Sequence, residues 1–257
     1  KVINLENDYD ENPIKSDYTK GYEYSDLFVD DARLVLLNAQ DAISKGAKIY
    51  TNANIQKVIR KRDNWEVFLN NGEVLYSKVI INASGPYALD VLNNLIGIQS
   101  QKKIRHVQGS HIITEKLYKG EQAYILQLDD KRIIFLIPYL DKYTLIGTTD
   151  HEVKSYDNPK ITDIEKKYLI SSVNKFIKNK ITEDNIIWTY SGVRPLVEDL
   201  NENASKITRD YTFEIDDKDA PILTIFGGKL TTFRKLSEHA LDKISKYIKI
   251  SNKSWTG

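Results

Sequence analysis

Residues 221–232 read Pro-Ile-Leu-Thr-Ile-Phe-Gly-Gly-Lys-Leu-Thr-Thr, and this stretch is the most informative local feature of the chain. Its apolar run predicts a strand buried on both faces, and the paired glycines predict a tight turn. From Leu230 onward, apolar residues recur at helical spacing as far as Ile248. The stretch is therefore predicted to be a strand, a turn and a helix of an α/β unit.

The turn at 227–232 has two interpretations. Glycine lets a backbone approach a ligand closely, the unpaired amides at a helix N-terminus attract negative charge, and Lys229 adds a positive charge. The same residues also fit a plain tight turn in which Thr231 caps the helix. A P-loop is excluded, because the Gly-x-x-x-x-Gly-Lys-Ser/Thr pattern is absent.

A second unit of the same kind occurs earlier in the chain. Residues 79–81 are Val-Ile-Ile and lead into Asn-Ala-Ser-Gly-Pro at 82–86, which predicts a buried strand followed by a helix with proline in its first turn. Asp30 is predicted to cap a helix that ends at Gly46. Short β patterns follow at 48–51, 55–60, 65–69 and 74–76, with an Asn-Asn-Gly hairpin turn at 70–72.

From residue 104 the pattern changes to longer β segments, with a turn at 129–131 and a helix opened by Thr162 or Asp163. Such a pattern predicts a mixed or antiparallel sheet. The predicted fold class is therefore α/β with α+β, in which an α/β domain made of 21–103 and 217–250 is interleaved with a sheet domain at 104–216. Residues 1–20 are polar and predict a loop or tail.

Composition excludes several classes of protein. The 37 Lys and Arg residues nearly balance the 36 Asp and Glu residues, so we expect no nucleic-acid partner. The absence of cysteine excludes disulfides and thiolate chemistry, and no His or carboxylate motif predicts a metal site. The longest apolar run, at 133–140, is too short to span a bilayer. Because the chain starts at Lys1 and contains no methionine, we expect it to be an internal piece of a longer protein.

Three arginines and one histidine are candidates for chemistry. Arg132, Arg194 and Arg209 lie beside β segments, and a planar guanidinium suits a carboxylate or phosphate ligand. Each could equally be a solvated or ion-paired residue. His111 could act as a general base, because an ordinary histidine pKa lies near working pH, but a histidine in a strand is also often structural.

Taken together, nine blocks of sequence resemble the FAD-dependent, quinone-linked glycerol-3-phosphate dehydrogenases of the D-amino-acid-oxidase-like flavoprotein fold. The blocks are Tyr-Ser-Asp at 24–26, Val-Asp-Asp-Ala-Arg-Leu at 29–34, Asn-Ala-Ser-Gly-Pro at 82–86, Gln-Gly-Ser-His-Ile at 108–112, Asp-Lys-Arg-Ile at 130–133 with Phe135 and Pro138, Ile-Gly-Thr-Thr-Asp at 146–150, Trp-Thr-Tyr-Ser-Gly-Val-Arg-Pro-Leu at 188–196, Thr-Arg-Asp-Tyr at 208–211 and Phe-Gly-Gly-Lys-Leu-Thr-Thr at 226–232. The family usually has Thr where this chain has Ser84. The family's Gly-x-Gly-x-x-Gly turn, which binds the FAD pyrophosphate, is absent from this sequence.

The resemblance implies a set of site residues. His111 would lie near the reacting carbon as the base, with Arg194 and Lys229 also catalytic. The substrate would be held by Arg132, Arg194, Arg209 and Lys229. The residues implied to contact FAD are Ile55, Ser84, Gly85, Gly227, Gly228, Lys229, Leu230, Thr231 and Thr232.

The resemblance also implies domain roles and an activity. Residues 21–103 and 217–250 would form a partial Rossmann-like FAD-binding domain, 104–216 the substrate-binding domain, and 251–257 the start of a linker to a missing C-terminal domain. The activity would be FAD-dependent oxidation of sn-glycerol 3-phosphate to dihydroxyacetone phosphate, with electrons passed to ubiquinone. We expect the full enzyme to be cytoplasmic and peripheral on the inner membrane, with a homodimer as one open alternative for its assembly. We expect this chain alone to be inactive.

Two rival functions remain open from the sequence. The first is a glycerophosphate oxidase of the same fold, which passes electrons to oxygen. The second is a remnant without cofactor that only binds a phosphorylated ligand or a partner protein, which the missing glycine fingerprint favours.

Overall fold

The computed structural model describes residues 1–5, 12–198 and 210–250, and the chain divides into two compact units. The first unit comprises Lys1–Leu27 and His106–Arg194, and the second comprises Phe28–Arg105 and Pro195–Gly257. The sequence pattern placed the second boundary at 217, whereas the structure divides the chain at 195. One strand, Trp188–Glu198, continues through that point, so no turn signal marks it.

The first unit is built around an antiparallel sheet. Among the described residues the order is β11-β7-β10-β9-β8, and β12 also pairs with β7. Its strands are β7 (Lys103–Glu115), β8 (Tyr124–Gln127), β9 (Ile133–Tyr139), β10 (Tyr143–Gly147), β11 (His151–Glu152) and β12 (Trp188–Glu198). Every second side chain of β9 and β10 points to the same face of the sheet. On that face Ile134, Leu136 and Ile146 are fully buried.

A helix covers this sheet and closes the core of the first unit. The helix α3 (Asp163–Val173) begins at Thr162, as the sequence predicts, and Thr162 and Glu165 form a reciprocal capping box. Its side chains Leu169 and Val173 are fully buried against the apolar face of the sheet. Burial of this apolar area is the main stabilising contribution to the unit.

The amino-terminal segment is structured, so the prediction of a loop or tail for residues 1–20 is wrong for part of that range. The strand β1 (Val2–Asn4) pairs antiparallel with β2 (Lys20–Tyr22). Ile14 is only 5% exposed and forms a β-bridge with Ile177. Strands of three residues are too short to show alternation in sequence, which is why the polar composition was misleading.

The second unit contains two small sheets. In one, β14 (Ile222–Phe226) pairs in parallel with β6 (Ile80–Asn82) and antiparallel with β13 (Thr212–Asp216). The other is an antiparallel meander of β3 (Ile55–Arg60), β4 (Trp65–Leu69) and β5 (Val74–Ser77). The mixture of parallel and antiparallel sheets confirms the predicted fold class of α/β with α+β.

Helices of the second unit begin and end close to the predicted positions. The helix α1 (Asp31–Ser44) starts where the Asp30 carboxylate accepts a hydrogen bond from the backbone of Arg33. A helical segment at 85–96 combines a 3₁₀ turn, one α-helical turn that we label α2 (Ala88–Asp90), and a π-helical turn. The last helix, α4 (Phe233–Ile244), packs through buried Ala240 and Ile244 against the strand β14.

One predicted strand is not seen, and a second falls outside the described residues. Residues 48–51 carry no strand, and Ile49 is half exposed, so the β pattern there was misleading. Within the described part of the chain this segment has no neighbouring strand to pair with, and a strand needs such a partner for its backbone groups. The strand predicted at 205–208 lies outside the described residues. No helix in the described ranges has the length and apolar character to cross a membrane.

Candidate active site

His111 lies on β7 directly opposite a glycine of the neighbouring strand. The register pairs His111 with Gly147 of β10. A Cβ atom at position 147 would overlap the imidazole and would lie 2.6 Å from its Nε2 atom. The imidazole therefore occupies space that any other residue at position 147 would fill.

A second glycine accommodates Arg194 in the same way. Gly109 lies two residues before His111 on β7, so both positions point to one face of the sheet. A Cβ atom at Gly109 would lie 2.5 Å from Nη2 and 2.8 Å from Cζ of Arg194. The guanidinium thus lies directly against the backbone of β7, close to His111.

The residues that follow β10 hold the Arg194 guanidinium. Its Nη1 atom donates to the Asp150 carboxylate at 2.5 Å, and Nη2 donates to the Thr148 hydroxyl at 3.2 Å. Gly147, Thr148 and Asp150 belong to one short stretch of chain. One segment therefore makes room for the imidazole and fixes the arginine.

Arg132 lies in the same unit as Arg194, and the charge of Asp150 also acts on it. Its guanidinium pairs with Asp130 at 2.6 Å and lies 4.4 Å from the centre of the Tyr168 ring. Hydrogen bonding to Asp130, together with the nearby Asp150 carboxylate, raises the pKa of Arg132 above its ordinary value. Arg132 is thus held by Asp130, whereas Arg194 is held by Asp150.

The electrostatics of His111 favour its neutral form. Burial, and then the charge of Arg194, lower the pKa of His111 to about 4. Its buried Nδ1 atom has no hydrogen-bond partner, and its ring stacks on Tyr190 with centroids 4.8 Å apart and an angle of 8°. At neutral pH the side chain is therefore an unprotonated imidazole with a nitrogen lone pair to offer.

In the second unit, two predicted turns lie at one edge of a sheet. Because β6 and β14 run parallel, their carboxyl ends meet, and so do the turns that follow them. Gly85, Gly227 and Gly228 all have positive φ, at 59°, 73° and 106°. A Cβ atom at Gly227 would also lie 2.8 Å from the carbonyl oxygen of Asp210. Glycine is thus required there by both conformation and space.

The helix after the second turn has no side-chain cap. Thr232 occupies the cap position of α4, but its hydroxyl donates to the carbonyl of Lys229, so the alternative in which Thr231 caps the helix is wrong. A 3₁₀ turn (Leu230–Thr232) precedes the helix, and in it the amides of Thr232 and Phe233 donate to the carbonyls of Lys229 and Leu230. The positive end of the helix dipole suits an anionic group. At the first turn the Ser84 hydroxyl and amide both donate to the Asn82 side chain, at 2.6 and 3.4 Å, and the Ser84 carbonyl accepts from the amide of Tyr87.

The other predicted residues are placed less informatively. Lys229 is exposed in the second unit, beside Leu230 and Thr231. Ile55 is the first residue of β3, at a register shift and on a different sheet from the glycine turns, so its role stays a prediction. Arg209 lies outside the described residues. Across the described ranges, no cluster of three or more potential metal-ligating side chains occurs.

Sequence reasoning missed several residues of this site. Asp150 and Tyr190 contact the predicted pair, and Gly109 and Gly147 make room for it. A glycine inside a strand is a recognised sign of close approach by another group, so both glycines could have been noticed. The stacking of Tyr190 depends on strand pairing and had no signal in the sequence.

Most of the chain matches a known protein family. The sequence pattern of the FAD dependent oxidoreductase family matches residues 3–234. The chain therefore belongs to the FAD dependent oxidoreductase family.

Similar curated proteins are sugar-alcohol phosphate dehydrogenases. The chain is 44% identical to a glycerol-3-phosphate dehydrogenase of Pseudomonas tolaasii, over 95% of this chain and 49% of the relative. It is 42% identical to the aerobic glycerol-3-phosphate dehydrogenase of Escherichia coli, over 95% of this chain and 50% of that protein. A D-erythritol 1-phosphate dehydrogenase of Brucella abortus is 40% identical, over all of this chain and 52% of its own length. The chain thus spans about half the length of these relatives.

A solved structure shows the same fold. The glycerol-3-phosphate dehydrogenase of Bacillus halodurans, crystallised with FAD, superposes with a TM-score of 0.80 at 24% identity, over 95% of this chain and 48% of that chain. An L-alpha-glycerophosphate oxidase from Mycoplasma pneumoniae gives a TM-score of 0.61 at 18% identity, over 85% of this chain and 56% of that chain. These likenesses support the fold alone.

Replacing Gly147 with Ala should destabilise the protein, because the new methyl group overlaps the His111 ring. Overpacking of this kind costs about 1–3 kcal/mol. Gly192→Ala is the matched control, since a Cβ atom there meets nothing within 4 Å. Thermal unfolding should show a lower melting temperature for Gly147→Ala than for Gly192→Ala. Equal melting temperatures would show that the imidazole does not need the space beside Gly147.

Proposed function

We propose that the full-length protein containing this chain oxidises sn-glycerol 3-phosphate to dihydroxyacetone phosphate with FAD as cofactor. The observation that carries the proposal is a neutral imidazole, His111, beside the guanidinium of Arg194. The two relatives named as glycerol-3-phosphate dehydrogenases support the choice of substrate.

The second unit offers residues that fit a bound flavin nucleotide. Gly85, Gly227 and Gly228 give the turns at the carboxyl edge of the sheet their positive φ angles, and the N-terminus of α4 has no side-chain cap there. We propose that the backbone at Ser84 and Gly85, together with residues 227–232, contacts FAD. When bound, FAD supplies the acceptor for the hydride that leaves C2 of the substrate.

The first unit offers residues for the substrate. Arg194 binds an oxygen of the substrate in exchange for its contact with Asp150 or Thr148, and Arg132 adds positive charge nearby. His111 accepts the proton of the C2 hydroxyl at an imidazole nitrogen. Loss of this proton and of the hydride from C2 leaves the ketone. Lys229 and Arg209 stay proposed as further phosphate-binding residues.

An imidazole with a low pKa is a weak base. Binding of the substrate raises the pKa of His111 and so makes it a stronger base. The charge of Arg194 is one of the two causes that lower the pKa of His111. A phosphate dianion bound nearby counters that charge and raises the pKa toward its ordinary value. His111 is therefore unprotonated in the free protein and becomes a stronger base once the substrate is bound.

We further propose that electrons pass to ubiquinone and that the full-length protein lies on the cytoplasmic surface of the inner membrane as a homodimer. The Escherichia coli relative is named an aerobic dehydrogenase, and this name supports a respiratory electron acceptor. Two other substrates or acceptors have specific support. The Brucella abortus relative is named for D-erythritol 1-phosphate, and an oxidase shares the fold.

Turnover assays on the full-length, FAD-loaded protein separate these possibilities. We expect a soluble quinone to be reduced with sn-glycerol 3-phosphate, with a higher kcat/KM than for D-erythritol 1-phosphate and no turnover of glycerol. Stoichiometric hydrogen peroxide without quinone would identify an oxidase instead. A preference for D-erythritol 1-phosphate would change the substrate, and binding without turnover of either phosphate would identify a remnant without activity.

The acid side of the pH profile should report the unusual state of His111. The kcat/KM of the wild type reports the free enzyme, so kcat/KM should decrease as the pH falls through about 4 and His111 is protonated. The corresponding decrease in kcat should occur at a higher pH. Replacing His111 with Gln should lower kcat by about 10²–10⁴-fold and remove this limb. His151→Gln, a change at an exposed histidine of the same sheet, should leave the profile unchanged. A kcat/KM limb near pH 6.5 assigned to His111 would contradict the proposed environment.

A further inference from the structure

A buried carboxylate lies behind the His111 and Arg194 pair, in the first turn of α3. Glu165 is only 6% exposed, and each of its two oxygens accepts several hydrogen bonds. Burial alone would raise the pKa of Glu165, but the hydrogen bonds from Thr149, Thr162 and Ser110 lower the pKa overall. The side chain is therefore a charged acceptor inside the unit.

One oxygen of Glu165 is used by its own helix. Its Oε2 atom accepts from the backbone amide of Thr162 at 2.9 Å and lies 3.0 Å from the Thr162 hydroxyl. The side-chain amide of Gln108 also donates to this oxygen at 3.1 Å. The first of these contacts and the bond from the Glu165 amide to the Thr162 hydroxyl form the capping box, which is a common structural role for glutamate at this position.

The other oxygen faces the sheet. Its Oε1 atom accepts from the Ser110 hydroxyl at 2.8 Å and from the Thr149 hydroxyl at 2.6 Å. The Thr149 hydroxyl in turn accepts from the backbone amide of Ser110 at 2.9 Å. A helix cap needs none of these bonds, so this half of the carboxylate has a separate role.

The bonds also extend to the strand that carries Arg194. The Ser110 and Ser191 hydroxyl oxygens lie 2.8 Å apart. Because the Ser110 proton is directed to the carboxylate, the Ser191 hydroxyl must be the donor in this contact. The negative charge of Glu165 thus orders a chain of hydroxyl groups from α3 across β7 to β12.

Each hydroxyl in this chain is next to a residue of the candidate site. Ser110 lies between Gly109 and His111 on β7. Thr149 lies between Thr148 and Asp150, the two partners of the Arg194 guanidinium. One carboxylate therefore binds both the residue that precedes His111 and the residue between the two partners of Arg194.

We propose that Glu165 is a positioning residue that holds His111 and Arg194 in their mutual geometry through Ser110, Thr149 and Ser191. The inference rests on the proposed function for its kinetic consequences. It acts through hydrogen bonds to neighbouring residues and requires no contact with substrate. Misplacement of reacting groups by even a fraction of a bond length is costly for catalysis.

Glu165→Gln tests the charge at nearly constant shape. A glutamine has one oxygen and one amide, so it must present a donor either to the hydroxyls of Ser110 and Thr149 or to the backbone amide of Thr162. The first orientation forces the Ser110 and Thr149 hydroxyls to reverse and accept, and the second leaves the Thr162 amide facing a donor. With the full-length, FAD-loaded protein, we expect kcat/KM for sn-glycerol 3-phosphate to fall by about tenfold to a hundredfold, with kcat lowered and KM raised.

Thr162→Ala is the matched control, because it disturbs the cap and leaves the sheet-facing oxygen in place. It should lower the melting temperature while kcat and KM, normalised to bound flavin, stay within twofold of wild type. If Glu165→Gln does not fold, Thr149→Val removes the bonds that join the Thr149 hydroxyl to Glu165 and to the Ser110 amide, and should lower kcat/KM in the same direction. Wild-type kinetics in a folded Glu165→Gln or Thr149→Val variant, or equal kinetic loss in Thr162→Ala, would overturn the inference.

Hydrogen exchange gives a readout that is independent of activity. In Glu165→Gln, exchange should accelerate in peptides that contain Ser110 and Thr149, and in Thr162→Ala only at the start of α3. Unchanged exchange at Ser110 and Thr149 would overturn the inference even if the enzyme is active. A wild type that oxidises no glycerol 3-phosphate but shows this exchange pattern would refute the proposed function and leave the positioning role supported.

Discussion

The site depends on one steric constraint, the absence of a side chain at Gly147 opposite His111. Because β7 and β10 pair in this register, the imidazole can lie over the backbone of the neighbouring strand. The same strand then continues into Thr148 and Asp150, which hold the guanidinium of Arg194. The pairing of the strand backbones therefore determines the positions of the His111 imidazole and the Arg194 guanidinium.

Two arginines of the first unit are each paired with a carboxylate of the same unit. Arg132 and Arg194 face the carboxylates of Asp130 and Asp150, so under the proposed function a phosphate would have to displace a carboxylate from each arginine. Ion pairs this exposed contribute little to stability, so the exchange is inexpensive. The arrangement explains how arginines can be oriented in advance and still be available to a substrate.

Much of the fold was predictable from sequence, and the reasons are local. Asp30 as a cap, the Asn-Asn-Gly turn at 70–72 and the helix start at Thr162 are signalled by neighbouring residues. His111 and Arg194 were identified through their resemblance to a family, but Tyr190, Asp150 and the role of Glu165 depend on which strands pair. The polar start of the chain was misread because its short strands and the burial of Ile14 are set by tertiary contacts.

A crystal structure of the full-length, FAD-loaded protein with sn-glycerol 3-phosphate bound tests the central claim most directly. The account predicts a substrate oxygen within hydrogen-bond distance, about 3 Å, of the Arg194 guanidinium and the C2 hydroxyl at the same distance from an imidazole nitrogen of His111. A substrate bound away from both residues, with Arg194 still held only by Asp150 and Thr148, would contradict it.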